Sequence, residues 1–133
     1  MRIGIDLRLQ AYAPGGISRY ARHLAMELAP RLAPETLTLI QHRQGSDPLH
    51  IPHTRTVRAW TPPHHPLERW TLGAECFPLR LDILHSTDFI PPAWGARRFV
   101  ITVHDLNFLY YPQYLTAEAR RYYNNQIRWA VSR

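Results

Sequence analysis

The chain has 133 residues, 45% of them hydrophobic, with a formal net charge of +6 and a single cysteine, Cys76. That length suits one domain with a core able to stand without disulfide staples, and a lone thiol cannot pair within the chain. Cys76 therefore reads as a structural or incidental residue of a reducing compartment, which favours the cytoplasm.

Residues 1–10 lack the charged start, apolar run and small-residue cleavage site of an export signal. No later stretch reaches the ~20 apolar residues of a membrane span. All sixteen basic side chains are arginine, and only Arg97-Arg98 and Arg120-Arg121 are adjacent pairs. With no dense basic run interleaved with aromatics, nucleic acid is not an expected partner. The arginine excess suits anionic small ligands, an anionic lipid surface or an ordinary solvated face equally well.

In chain order, Ile3, Ile5 and Leu7 alternate with Gly4 and Asp6 as a strand. A turn through Ala13-Pro-Gly-Gly16 follows. Ile17, Tyr20, Ala21, Leu24, Ala25 and Leu28 then recur at helical spacing, until Pro30 and Pro34 end the helix. Thr36–His42 alternates again, giving a β-α-β order that demands a crossover and a parallel pair. A strand–glycine turn–helix unit lets backbone N–H groups and a helix N-terminus approach an anion, although a Gly-Gly pair also serves as a simple tight turn.

Residues 43–66 are Pro- and His-rich and read as an exposed loop, with one short strand at Thr54–Ala59 and a turn at Thr61–Pro66. Leu67–Phe77 reads as a short helix stopped by Pro78. Leu81–Ser86 and Phe99–His104 read as buried strands, each ending in histidine. Thr116 is the expected N-cap of a last helix, with Glu118 in its first turn and Ala119, Tyr123, Ile127, Ala130 and Val131 on one face. The expected fold is α/β: a Rossmann-like open, mainly parallel sheet flanked by helices, with residues 1–133 forming a single domain. The final helix carries no stop signal, so a domain incomplete at its C-terminal end is expected.

Ligands of open parallel sheets sit beyond the carboxyl ends of the strands. That places Gly15, Gly16, His85, His104 and Asp105 together as the candidate site. Histidine there suits a hydrogen bond to a sugar hydroxyl or phosphate oxygen, with Asp105 orienting the ring or holding a hydroxyl, against the alternative of satisfied structural histidines. The turn is not G-x-G-x-x-G, and a chain without lysine has no Walker sequence. His50, His53, His64 and His65 lie in the Pro-rich segment and read as solvated loop residues, with no metal assigned. Phe108, Tyr110, Tyr111 and Tyr114 read as packing under a loop.

Gly15-Gly-Ile-Ser-Arg-Tyr20, Asp82-Ile-Leu-His-Ser86 with Pro91-Pro92, Thr102-Val-His-Asp-Leu106, Tyr111-Pro112 and Arg120-Arg-Tyr-Tyr123 occur in one order along nearly the whole chain. Together they resemble the N-terminal domain of family-four retaining glycosyltransferases, a group that includes many bacterial mannosyltransferases. The resemblance implies a GT-B architecture of two Rossmann-like domains facing a cleft, this chain being the acceptor-side one. It implies transfer of a hexose from a nucleotide sugar to a saccharide or lipid-linked acceptor in polysaccharide biosynthesis, with no metal or other cofactor. His104 takes the place of the active-site histidine, Gly15 and Gly16 lie near the donor diphosphate, and Arg19 meets phosphate or acceptor. Asp105 supports its loop.

The donor-gripping basic residues and paired glutamates belong to a second domain, so the chain alone is expected to be inactive. The cytoplasm is the expected location, with peripheral contact at the inner face of a membrane left open. The alternative is a non-catalytic Rossmann-like binding or interaction module, with a generic nucleotide-binding domain third.

Overall fold

The computed structural model describes residues 1–12, 15–34 and 36–132, with the side chains of Glu118, Arg121 and Tyr122 outside the description. Ala13 and Pro14 of the expected glycine turn are thus not described. Five strands form one sheet: β1 (Ile3–Asp6), β2 (Leu37–His42), β3 (Arg55–Ala59), β4 (Leu81–Ser86) and β5 (Ala96–Ile101). Their order is β3-β2-β1-β4-β5 and every pairing is parallel. This is the Rossmann-like α/β sheet the sequence implied, with the chain reversing direction of growth at β1 between β2 and β4.

Three helices flank the sheet: α1 (Gly16–Leu28), α2 (Glu68–Cys76) and, after a short helix α3 (Asn107–Tyr110), α4 (Ala117–Val131). The central strands β1 and β2 are buried on both faces of the sheet, and the core divides between them. Ile5, Leu7, Leu37 and Leu39 meet Ala21 and Ala25 of α1, while Ile40, Leu81 and Leu84 meet Leu72 and Cys76 of α2. A third cluster, Phe89, Ile90, Phe108 and Ile127, seats α3 and α4 beside β4. Cys76 is a core side chain, and burial pushes its thiol up to about 12. Thr116 caps α4 as expected, its hydroxyl accepting from Ala119 N at 3.2 Å.

Four expectations are corrected. First, β5 begins at Ala96 and ends at Ile101, so His104 lies in the following loop and not on a strand end. The pleated pairing with β4 stops at Ser86↔Ile101, and Thr102 to Leu106 follow a path of their own. Second, residues 43–66 are not uniformly exposed: Gln41 clips Leu49 through paired side-chain bonds of 2.8 and 2.7 Å, burying Leu49, and Thr61 is buried too. Third, Tyr110, Tyr111 and Tyr114 stand 73%, 54% and 82% exposed, leaving Phe108 alone of that string in a core. Fourth, Val131 is exposed, because α4 ends as it passes beyond the third cluster.

Candidate functional site

The site assembles at the carboxyl edge of the sheet. Gly15 caps α1 in extended backbone and Gly16 opens the helix, with nothing within 4 Å of where a Cβ on Gly16 would stand. The positive end of α1 is therefore reachable by a ligand atom without side-chain obstruction at Gly16. One turn further, the Tyr20 hydroxyl lies 3.3 Å from Thr102 Oγ1, and His85 Nε2 lies 2.8 Å from the same oxygen. Burial lowers the His85 pKa below its ordinary 6.5, which keeps that ring neutral at pH 7.

His104 is held from two sides. Its Nε2 donates to the Thr87 carbonyl at 2.8 Å, and its ring stands edge-on to Tyr20 with centroids 5.1 Å apart. A carbonyl only accepts, so Nε2 carries the proton of that bond, and Nδ1 is the ring nitrogen left outside it. Thr87 is fixed in turn, its Oγ1 donating to Asp6 O at 2.7 Å. The chain of contacts runs from the end of β1 through the β4 loop to His104 and across to α1, so the sheet and the helix jointly set the imidazole.

The sequence model of Glycosyltransferase Family 4 matches residues 14–133, nearly the whole chain, including the glycine turn and both histidines. The chain belongs to that family. No curated protein and no solved structure matches it.

In this family-4 glycosyltransferase domain the residues singled out from sequence fall into two groups. His85, His104 and the start of α1 converge through Tyr20 and Thr102 on the β4–β5 side. Gly15 and Arg19 also line a cleft of about 300 Å3 on the β2–β3 side, together with Gln10, Arg22 and Arg58. Asp105 touches neither: its Oδ1 accepts from Asn107 N at 2.9 Å and holds the turn into α3, so it does not orient the His104 ring.

Sequence reasoning missed the ionic cluster beneath the site. Arg8, 1% exposed, sends Nε and Nη2 to the two Asp6 oxygens at 3.0 and 2.7 Å, Nη1 to Thr61 O at 2.8 Å, and Nη2 also to Glu68 Oε1. Burial pulls the Arg8 pKa down, but Asp6 and Glu68 outweigh it and hold it above its ordinary value. Burial also raises Glu68, against the opposing pull of Arg8. An Asp-x-Arg at the end of an apolar strand was the available signal, since an acidic residue inside such a strand must find a cation or be protonated.

His64 departs from the solvated loop expected of it. Its Nε2 meets Asp88 Oδ2 at 2.8 Å, and that hydrogen bond raises its pKa against the effect of burial. Among the described residues no group of three or more His, Cys, Asp or Glu is placed to hold a metal ion, and no helix is long and apolar enough to cross a membrane.

Proposed function

We propose that this glycosyltransferase domain supplies the acceptor side of a retaining transfer, in which a hexose moves from a nucleotide sugar to a saccharide or lipid-linked acceptor. The anomeric C–O bond to the diphosphate breaks, an acceptor oxygen takes its place, and the acceptor gives up its hydroxyl proton as the nucleoside diphosphate leaves. No metal or other cofactor is invoked.

One observation carries the reading: His104, with Nε2 spent on Thr87 O and Nδ1 outside that bond, stands against Tyr20 one turn from the glycine start of α1. An imidazole so held can accept a hydrogen bond from a hydroxyl of the transferred sugar, while Gly15, Gly16 and the helix dipole face the diphosphate. His85, neutral and bonded to Thr102, backs the same wall, and Asp105 supports the loop that carries His104.

The test is His104→Ala in a protein containing both the acceptor and donor domains, assayed by nucleoside diphosphate release from a panel of nucleotide sugars. Loss of turnover with an unchanged melting temperature is the expected result. Retained turnover would remove His104 from the reaction.

A further inference from the structure

The cleft between α1 and the segment after β2 lies on the other flank of Gly15 from His104, and the charged side chains of its lining are mainly cationic. Arg19 and Arg22 stand one turn apart on α1, and Arg58 reaches in from β3, its Nη1 donating to His42 O at 3.2 Å. None of the three makes an ion pair with a carboxylate among the described residues. Asp47 is the sole carboxylate of the lining, so cations exceed anions by two.

A second, independent feature points into the same space: the Gln10 side-chain nitrogen is buried there with no hydrogen-bond partner among the described residues. A buried donor left unmade is costly and asks for an acceptor. The outer wall is pinned, since Gln41 clips Leu49 and Gly45 N donates to His42 O at 3.1 Å. A Cβ on Gly45 would come within 3.3 Å of His42 O and 3.9 Å of Arg58 Nη1, so a larger residue would narrow the space beside the guanidinium.

We propose that this cleft is a subsite for a phosphomonoester carried on the acceptor sugar, an inference that rests on the glycosyl-transfer reading. A phosphomonoester carries about −1.5 to −2 charges at neutral pH and three acceptor oxygens, which matches the net lining charge and the donors of Arg19, Arg22, Arg58 and Gln10. The volume, about 300 Å3, is that of a small polar ligand, at the low end of the ~300–1,000 Å3 found for small-molecule sites. Gly15 borders both this cleft and the start of α1, so an acceptor anchored here lies beside the helix end that faces His104 from the other flank.

Titration of the isotope-labelled protein with glucose 6-phosphate, followed by amide and side-chain NMR shifts, tests it. Saturable shifts are expected at the Gln10 side-chain amide, Gly15 and Gly45, weakened about tenfold in Arg22→Gln and again in Arg58→Gln, both exposed positions.

Absence of those shifts, or identical shifts with neutral glucose, overturns the proposal. Equal affinity for inorganic phosphate overturns the acceptor assignment, and displacement by uridine diphosphate transfers the cleft to the donor. The parent shift map decides the matter even where a variant melts early. Because binding is read without turnover, a protein carrying both domains that releases no nucleoside diphosphate with any nucleotide sugar sinks the transfer reading while leaving this result standing, and the converse failure is equally visible.

Discussion

Replacing Arg8 with methionine keeps most of the aliphatic stem and removes one cation from between two carboxylates. In the parent, Asp6 is 12% and Glu68 3% exposed at the side chain, and each has Arg8 as its ion-pair partner. Without the guanidinium, two buried anions face each other, and Thr61 O loses its 2.8 Å donor. Breaking a buried pair by removing one partner costs about 3–5 kcal/mol. For a chain between the benchmark sizes that corresponds to a fall in Tm of roughly 10–20 °C, a large share of a total stability of about 5–15 kcal/mol.

The pH dependence separates this cause from lost packing. Burial already raises Glu68 above its ordinary value and Arg8 opposes the rise, so removing Arg8 raises it further. A group with a raised folded pKa loses its stabilising contribution as pH rises through that value, so the variant is weakest at alkaline pH and recovers on acidification. Adding Asp6→Asn and Glu68→Gln to Arg8→Met removes the uncompensated charge and is expected to restore much of the loss. Urea and thermal melts followed by circular dichroism between pH 5 and pH 8 read all of this. A single Arg8→Met variant within about 1 kcal/mol of the parent, or with a pH-independent deficit, would refute the reasoning.

Gly16→Ala meets no atom within 4 Å and is expected to hold or raise stability by up to about 1 kcal/mol; if turnover of a protein joining this domain to the proposed donor domain nonetheless falls, the glycine serves ligand approach and not folding. Gly95 sits at φ +98° with its Cβ position 2.5 Å from Gly73 O, so Gly95→Ala is expected to cost more than about 1 kcal/mol in a urea melt. His64, raised by Asp88, contributes stability that is fully present below the ordinary 6.5 and lost as pH rises through its higher folded value. His85, lowered by burial, contributes above 6.5 and loses that contribution as pH falls through its lower folded value. Asp88→Asn should abolish the first dependence and leave the second, as read from melting temperature against pH. Cys76, with its thiol pushed up to about 12, should resist alkylation at pH 8 until the chain unfolds, which a time course of thiol labelling measures.

Much of the fold was legible in sequence because the information is local and periodic. Ile3, Ile5 and Leu7 alternate with polar or small residues, α1 keeps its apolar residues at helical spacing, and Thr116 caps the helix that follows it. The β-α-β order dictates parallel pairing through steric limits on the crossover, and the family motifs from Gly15 to Tyr123 are contiguous strings whose order alone is specific. The end of β5 was misplaced because β-branched, strand-favouring residues continue past Ile101 into Thr102 and Val103, whereas the ladder stops where β4 stops.

What only the tertiary structure decided is which distant groups meet. Nothing local to His104 says that its Nε2 will reach Thr87 O, seventeen residues back, or that Tyr20 will share a hydroxyl with Thr102 across 82 residues. Asp105, adjacent in sequence to His104, was the obvious partner and instead holds the turn into α3. Arg8 and Glu68, sixty residues apart, become partners only when β1 and α2 are packed on one sheet. Likewise Arg19, Arg22 and Arg58 form a cleft only after β3 pairs with β2, since charge recognises proximity in space and the chain records proximity in order.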